Sequence, residues 1–215
     1  MLKYAVFDLD GTLTDSMYIW RWLSPAYCRR KGLEPREDLI ECIDAMSLPE
    51  AAAYLIQTYS LAQTVEETCR EFEGMLYEEY AQRVQLKKGV REALERFSKA
   101  GVKMAVASAS EKGPIQAALT RLGVWGLFCC CHTCTEAGAG KESPQVFWLC
   151  QKDLGAGSPQ EVTVFEDSLY AAVTAQTAGF QVAGVWDPTS ADKEAPMRQV
   201  CRYYFMTAEE WGSLL

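Results

Sequence analysis

The sequence predicts an α/β fold, a doubly wound parallel sheet with an α-helical cap inserted after the first strand. Two observations predict it. After residue 84, short apolar segments alternate with segments whose apolar residues recur every three or four positions, as in strand–helix–strand units. Residues 16–83 break this rhythm, because they contain no convincing strand. We therefore divide the chain into a core, residues 1–15 and 84–215, and a helical cap, residues 16–83.

The first strand ends at an acidic turn. Residues 4–12 read Tyr-Ala-Val-Phe-Asp-Leu-Asp-Gly-Thr, so an apolar run delivers Asp8 and Asp10 to the carboxyl end of a buried strand. Gly11 allows a sharp turn there. Two neighbouring carboxylates repel each other unless they share a cation or a proton, and ligands of open α/β sheets bind at strand ends. The turn predicts a metal-assisted site.

The remaining elements follow in order. In the cap, apolar residues from Val65 to Leu76 lie on one helical stripe, and the prolines at positions 25, 35 and 49 predict breaks between short helices. In the core, glycines such as Gly101 and Gly123 end helical segments. The predicted core segments, in chain order, are helix 90–97, strand 102–107, helix 115–122, strand 128–131, helix 144–152, strand 161–165, helix 169–178, and strands 181–186 and 203–206.

The composition argues against several partners. The net charge is −8 and there is no run of more than three Lys or Arg residues, so we expect neither nucleic acid nor an anionic membrane as a partner. The first residues resemble a strand rather than a signal segment, and no apolar stretch approaches the ~20 residues that span a bilayer. We expect a cytoplasmic protein and a monomer.

Nine cysteines are scattered along the chain, and we expect them to stay reduced. Cys129, Cys130, Cys131 and Cys134 surround His132, the only histidine, and Cys131 and Cys134 form a C-x-x-C pair. Three adjacent cysteines on a strand alternate between its faces, so they cannot all bind one ion. We interpret them as small apolar strand residues, with a thiol metal site or a redox role as the alternative.

A second acidic pair ends a later strand. Glu166 and Asp167 follow the apolar segment 161–165, and Ser168 is placed to cap the next helix. The carboxyl ends of parallel strands share one edge, so this pair and the first pair converge if their strands are neighbours. Four carboxylates in one pocket need a hard cation, and Mg²⁺ suits oxygen ligands best.

Two further groups reach the same edge. Ser108 ends the strand 102–107, and Lys141 lies in a glycine-rich turn. A hydroxyl and an ammonium there can hold the oxygens of a phosphoryl group. Each is weak evidence alone, because a serine at a strand end is usually a helix cap and a lysine is usually a solvated charge. Together with the acids they are much more specific.

These motifs, in this order, resemble those of the haloacid dehalogenase-like superfamily of phosphotransferases and phosphatases, in the subgroup with a helical cap after the first strand. The first motif is 8–12, the second Ser108, the third Lys141 and the fourth Glu166 with Asp167. The resemblance covers essentially the whole chain. It implies a Rossmann-like core and a Mg²⁺-dependent phosphatase that forms an aspartyl-phosphate. Halide displacement needs no metal, so the dehalogenase branch fits poorly.

The resemblance also implies residue roles. Asp8 is the nucleophile, and Asp10 is the general acid and then the base that activates water. The implied Mg²⁺ ligands are Asp8, Asp10 through its carbonyl, Glu166 and Asp167. The implied phosphate donors are Ser108, Lys141 and the backbone amides of Leu9 and Gly11.

The chain departs from the family after Lys141. The family commonly has Lys-Pro-x-Pro-Asp, whereas residues 141–145 read Lys-Glu-Ser-Pro-Gln. Glu142 either orients the neighbouring ammonium or weakens phosphate binding by partial neutralisation. Gln145 removes a charge that tunes the metal site. We expect activity to persist.

The segments around Ser108 and Glu166 resemble those of β-phosphoglucomutases, and the chain as a whole resembles the β-phosphoglucomutase and phosphoglycolate phosphatase subgroup. A mutase cap carries a histidine after the first motif and an arginine in a hinge segment. Here Trp20 stands near the histidine position, and residues 44–50 contain no arginine. We therefore favour hydrolysis over mutase chemistry.

The cap also offers candidates for substrate recognition. Trp20 and Arg21 are candidate contacts to the leaving group, and an aromatic there favours a ring-bearing substrate such as a sugar phosphate. Trp20 and Trp22 cannot share one helical face, so at most one of them faces the substrate. A third hypothesis is a binding protein without turnover. Clustered carboxylates argue against it, because they destabilise a fold that gains nothing from them.

Overall fold

A computed structural model of the chain describes residues 2–43 and 46–215. The chain divides into two compact units, Met1–Ser16 with Val84–Leu215, and Met17–Arg83. The first unit contains the strands and the second is helical. Within the described ranges, no helix has both the length and the apolar character needed to cross a membrane.

The strands are β1 Tyr4–Phe7, β2 Thr14–Asp15, β3 Gln85–Leu86, β4 Lys103–Ser108, β5 Cys130–Thr133, β6 Val162–Glu166, β7 Gln181–Val185 and β8 Tyr203–Phe205. Six of them form a sheet of order β5-β4-β1-β6-β7-β8, and every neighbouring pair in it is parallel. β2 and β3 pair antiparallel where the chain leaves and re-enters the first unit. The predicted fold class, a parallel sheet with an inserted helical segment, is confirmed.

The α-helices are α1 Ile19–Arg30, α2 Leu39–Ile43, α3 Leu48–Tyr59, α4 Val65–Gln82, α5 Val90–Lys99, α6 Lys112–Arg121, α7 Cys134–Ala137, α8 Gln145–Leu154, α9 Leu169–Thr177 and α10 Glu194–Val200. Helices cover both faces of the large sheet. On one face, Phe7, Phe165 and Trp211 pack together with ring centroids 4.5–5.6 Å apart. On the other, Val6 and Val164 pack with Phe147 of α8. Burial on both faces explains the continuous apolar run of β1.

The register of the sheet brings the functional segments together. Phe7 lies opposite Val106 of β4 on one side and Phe165 of β6 on the other. The residues that follow these positions therefore emerge side by side, and the Asp8 amide donates to the Phe165 carbonyl at 3.0 Å. The acidic turn and the second acidic pair thus share one edge.

Strand β5 begins at Cys130, two residues later than predicted. Residues Trp125–Leu127 form a short 3-10 helix, and Phe128 then packs edge-on against Phe7 with ring centroids 6.2 Å apart. Phe128 packs against β1, and the backbone pairing of the edge strand β5 begins after it, at Cys130. The apolar pattern alone does not distinguish these two uses.

The helical unit has a core of its own. Tyr27 of α1 meets Phe72 of α4 edge-to-face at 5.0 Å, and a capping box between Thr64 and Glu67 begins α4. Pro25 lies inside α1, so the predicted break there is wrong. The reason is that Leu23 and Tyr27, on either side of the proline, are both buried in the cap core.

Candidate active site

Three buried carboxylates surround one buried lysine at the carboxyl edge of the sheet. Oxygens of Asp8, Glu166 and Asp167 lie within 4.8 Å of one another, and none of the three residues is more than 6% exposed. The ammonium of Lys141, itself buried, donates to Asp8 Oδ1 and, at 2.6 Å, to Glu166 Oε1. The cluster therefore contains three carboxyl groups and one ammonium group.

The electrostatics show a deficit of positive charge. Burial raises the pKa of the Asp8 carboxyl group to about 7; the Lys141 ammonium opposes this shift, and the carboxylates of Glu166 and Asp10 add to it. Burial, with Asp8 and Glu166 nearby, likewise raises the pKa of Asp167. Burial alone would lower the pKa of Lys141, but the charges of Asp8 and Glu166 outweigh it and raise that pKa. Close carboxylates with unfavourable charged forms are a donor set that fits a hard divalent cation.

The Asp10 side chain stands apart from this cluster. The hydroxyl of Ser16 donates to Asp10 Oδ1 at 2.5 Å, and the hydroxyl of Ser110 donates to Oδ2 at 2.8 Å. Both carboxylate oxygens are therefore held in place beside the nucleophile candidate. The sequence predicted four converging carboxylates; the structure groups three of them and orients the fourth with two hydroxyls that the sequence analysis did not assign.

The backbone of the acidic turn is stabilised internally. The Leu9 carbonyl accepts from the amides of Leu13 and Thr14, both at 2.9 Å. The Gly11 amide, predicted as a phosphate donor, instead donates to the Thr14 carbonyl at 3.0 Å. Ser108 is buried, and its Oγ accepts from the Ser110 amide at 3.0 Å, which leaves its hydroxyl hydrogen free to point elsewhere.

Gly11 is required by close approach as well as by backbone conformation. Its φ is +82°, and a Cβ at this position would lie 2.4 Å from Asp167 Oδ2. The hydroxyl of Thr12 is 3.4 Å from Asp167 Oδ1. The acidic turn therefore packs directly on the second acidic pair, and a side chain at position 11 is incompatible with this arrangement.

Ser168 has a different use from the predicted one. It occupies the N-cap position of α9, but its side chain makes no capping bond to that helix. Its hydroxyl and amide donate to Glu166 Oε2 at 3.0 and 3.1 Å. Since the other Glu166 oxygen accepts from Lys141, this carboxylate is fixed at both oxygens.

The two departures after Lys141 lie outside the carboxylate cluster. Glu142 and Gln145 are both exposed. The Glu142 carboxylate lies against Gly140, where a Cβ would be 2.3 Å from Oε2, and Gln145 Oε1 accepts from the Ser143 hydroxyl. In the part of the chain that the structure describes, Lys141 forms its ion pairs with Asp8 and Glu166. Glu142 therefore does not neutralise the ammonium directly.

Lys87 ties the acidic turn to the segment that follows β7, and the sequence analysis missed it. Its ammonium donates to the Gly11 carbonyl at 2.6 Å, the Trp186 carbonyl at 2.7 Å and Asp187 Oδ2 at 2.9 Å. Asp187 is buried and also accepts from Thr189. Lys87 and Lys88 are adjacent in the sequence, and no sequence signal separates the first from a solvated charge like the second.

Replacing this lysine should be costly. We expect Lys87→Met to lower the free energy of unfolding by about 2–4 kcal/mol, because it leaves a buried carboxylate and two carbonyls without their donor. Lys88→Met is the control, since Lys88 is 82% exposed and, among the residues described, forms an ion pair with exposed Glu209. Urea denaturation of both variants measures the difference, and equal losses would contradict this role for Lys87.

The stability that Lys87 contributes should also depend on pH. Burial opposes ionisation of Asp187, but hydrogen bonds from Thr189 and Lys87 outweigh it and lower the pKa of this carboxyl group. A lowered folded-state pKa gives stability that is present above the unfolded value of about 4 and lost as the pH falls through the folded value. The difference in unfolding free energy between the wild type and Lys87→Met should therefore become smaller below about pH 4.

The cap candidates line a cavity of their own unit. Trp20 and Arg21, both exposed, border a cavity of about 180 Å³ with Ile43, Met46 and other cap residues. Trp22 is partly buried against the cap core, so the two tryptophans of α1 do have different environments. Asp44 and Ala45, which begin the cap segment that lacks arginine, lie outside the described residues.

Comparison with known proteins identifies the family. The family model for haloacid dehalogenase-like hydrolases matches residues 5–185. The chain is 26% identical to validoxylamine A 7'-phosphate phosphatase of Streptomyces hygroscopicus subsp. limoneus, over 91% of this chain and 90% of that one. It is also 26% identical to a phosphorylated carbohydrates phosphatase of Thermotoga maritima, over 84% and 83%.

The fold has solved counterparts. The crystal structure of a putative β-phosphoglucomutase from Thermotoga maritima superposes with a TM-score of 0.86 at 23% identity, covering 99% of this chain and 98% of that one. This likeness concerns the fold alone. Together with the match over residues 5–185, it confirms the resemblance seen in the motifs: the chain belongs to the haloacid dehalogenase-like hydrolases.

Proposed function

We propose that the protein is a Mg²⁺-dependent phosphatase that hydrolyses a small phosphorylated metabolite through an aspartyl-phosphate. The observation that carries this proposal is the buried cluster of Asp8, Glu166, Asp167 and Lys141, with Asp10 oriented beside it. This arrangement places a nucleophile, Asp8, a proton-transfer group, Asp10, and a positively charged side chain, Lys141, at one edge of the sheet. Phosphoryl transfer needs little more than such positioning and charge stabilisation.

Each residue of the site has a separate role in the proposed reaction. Asp8 attacks phosphorus and forms the acyl phosphate while the bond to the leaving oxygen breaks. Asp10 protonates the leaving alcohol and later removes a proton from the attacking water, and Ser16 and Ser110 hold its carboxylate for both steps. Lys141 and the Ser108 hydroxyl bind the phosphoryl oxygens, with the Leu9 amide as a further donor.

The metal would be held by Asp8, Glu166 and Asp167, with the Asp10 carbonyl as a further ligand. Three buried carboxylates with one lysine carry an excess of negative charge, which supports a divalent cation there. Mg²⁺, when bound, supplies the positive charge that offsets repulsion between the nucleophile and the phosphate. Ser168 orients Glu166, and the backbone of Gly11 leaves room for Asp167.

The substrate we propose is a phosphate monoester of a sugar or another ring-bearing metabolite. Both relatives are named as phosphatases, one of them of phosphorylated carbohydrates, and aromatic faces stack well on sugar rings. Trp20, 45% exposed, and Arg21 are the cap residues we propose as determinants of the leaving group. A tryptophan cannot act as the histidine of a mutase does, which favours hydrolysis.

A screen of phosphorylated metabolites with Mg²⁺ and with a chelator tests the proposal. Release of inorganic phosphate that requires Mg²⁺ supports a phosphatase. Conversion of β-glucose 1-phosphate to the 6-phosphate without release would instead support a mutase. Tight binding of a phosphorylated ligand without turnover would support a binding protein.

The metal assignment has a test of its own. We expect Asp167→Asn to raise the Mg²⁺ concentration for half-maximal activity at least about 10-fold, because an amide oxygen replaces a charged ligand. Titration of phosphate release with Mg²⁺ measures it. Asp192→Asn, at an exposed position, should leave the Mg²⁺ dependence unchanged. An unaltered Mg²⁺ response in Asp167→Asn would mean that the ligand set is wrong.

A further inference from the structure

A second group of side chains of the types that ligate metals lies on β5 and α8, and none of its residues belongs to the carboxylate cluster. Cys130 Sγ, a ring nitrogen of His132 and a carboxylate oxygen of Asp153 lie within 4.8 Å of one another. His132 Nε2 is 2.8 Å from Asp153 Oδ2. The three donors are a thiol, an imidazole and a carboxylate. None of them belongs to the catalytic machinery proposed above.

The fold dictates this convergence. Cys130 and His132 are alternate residues of an edge strand, so both project from one face of β5. Cys130 packs with Cys150 of α8 on that face, and Asp153 lies one helical turn after Cys150. Adjacent cysteines separate as expected: Cys131 projects to the other side and is buried.

The donor set selects a metal different from that of the acidic cluster. Thiolate and imidazole ligands suit Zn²⁺, with metal–ligand distances of about 2.0–2.3 Å. Donors around a tetrahedral ion at such distances lie roughly 3.3–3.8 Å apart. Side chains whose donors already lie within 4.8 Å reach this spacing by small rotamer changes.

The surroundings provide the support that a metal-bound histidine usually has. His132 Nδ1 is 3.6 Å from Glu136 Oε2, and Lys112 holds the other oxygen of Glu136 at 2.9 Å. A carboxylate that is hydrogen-bonded to the second ring nitrogen fixes the tautomer of a metal-bound imidazole, and a small approach of the Glu136 carboxylate would bring it within that distance.

We propose that Cys130, His132 and Asp153 form a zinc site, with Glu136 orienting the imidazole and a water molecule as the fourth ligand. Zn²⁺ binding releases the thiol proton of Cys130 to solvent, and the thiolate and the Asp153 carboxylate balance the charge of the ion. The ligands lie on both sides of the segment that carries Lys141. Zinc would therefore link β5 to α8, the two elements between which that segment lies.

Cobalt is the probe that tests this proposal. The whole protein, freed of metal and saturated with Mg²⁺ at the carboxylate cluster, is titrated with Co²⁺. We expect one equivalent to give a thiolate-to-cobalt charge-transfer band and intense tetrahedral bands, and Zn²⁺ to remove both. Cys130→Ser should abolish the charge-transfer band. Cys129→Ser should keep it, because Cys129 is the exposed neighbour of Cys130 and is not a member of the cluster.

Two further variants keep the test independent of folding. Asp153 is exposed, so Asp153→Asn should fold normally and weaken Co²⁺ binding at least about 10-fold; Glu136→Gln should weaken it about 10- to 100-fold. Absence of the charge-transfer band in the wild type, or its persistence in Cys130→Ser, would overturn the proposal. The cluster would then be a histidine that lies between the carboxylates of Asp153 and Glu136 without a metal.

Thermal stability gives a second readout that does not depend on activity. With Mg²⁺ held saturating, Zn²⁺ at about 100 times its Kd should raise Tm by about 5–10 °C in the wild type and in Cys129→Ser. Cys130→Ser should show no such shift. An equal shift in Cys130→Ser would assign the zinc effect to another site and refute this one.

Discussion

Asp8→Asn should reduce phosphate release by about 10⁴-fold or more, because an amide cannot attack phosphorus and loss of a nucleophile removes the whole covalent path. The protein should remain folded. Asp8 lies among Glu166, Asp167 and a single buried lysine, and its pKa of about 7 shows that its charged form is disfavoured there. Removing that charge should leave the metal-free variant no less stable than the wild type.

Two measurements separate this result from a general loss of structure. Phosphate release is assayed with saturating Mg²⁺, and thermal unfolding is followed with a chelator present. Asp192→Asn is the matched substitution at an exposed carboxylate and should keep full activity. Residual turnover above about 1% in Asp8→Asn would remove Asp8 from the role of nucleophile.

The intermediate gives a direct check on the same residue. With a slow substrate, quenched wild-type protein should carry a hydroxylamine-sensitive phosphoryl group on the peptide that contains Asp8. Asp10→Asn should accumulate it from a substrate whose leaving group needs no protonation, because only the base that activates water is then missing. Asp8→Asn should carry none. A phosphoryl group on any other peptide would contradict the mechanism.

The part of the site that could be predicted from sequence is the part that the backbone topology determines. Asp8, Glu166 and Ser108 each follow an apolar strand, and parallel strands bring their carboxyl ends to one edge whatever the side chains do. The fold class followed from the same alternation of segments. These inferences need only periodicity and chain order.

The contacts that could not be predicted are made between side chains distant in sequence. Ser110 reaches Asp10 across 100 positions, and Lys87 reaches Asp187 across the same separation. Neither residue has a local pattern that distinguishes it from a solvated serine or lysine. The same is true of Asp153, which meets His132 only because α8 packs on β5.

Gly11→Ala should damage both the fold and the proposed metal site, and this is the second large effect we expect. A Cβ at position 11 would be 2.4 Å from Asp167 Oδ2 and 2.8 Å from its Cγ, so the carboxylate has to move. The positive φ of +82° adds a backbone cost of about 1–2 kcal/mol. Displacing a group at the reacting centre by about 1 Å lowers turnover about 100-fold.

Gly101→Ala is the control that separates these two causes. Gly101 has a similar φ of +79°, but a Cβ there would meet nothing within 4 Å. The free energy of unfolding of this variant, measured by urea denaturation, should fall by only about 1–2 kcal/mol, the cost of the positive φ. Its turnover and Mg²⁺ dependence should not change. If Gly11→Ala behaved in the same way, the packing of the acidic turn on Asp167 would not matter for function.

A double variant shows whether the damage passes through Asp167. Substitutions that act on one contact are not additive, whereas independent ones are. Asp167→Asn already weakens the metal site that Gly11→Ala would disturb. The combined variant should therefore lose little more turnover than the worse of the two single variants. If the two losses in turnover multiplied instead, Gly11 would act on catalysis through the backbone of the acidic turn, and its closeness to Asp167 would be incidental.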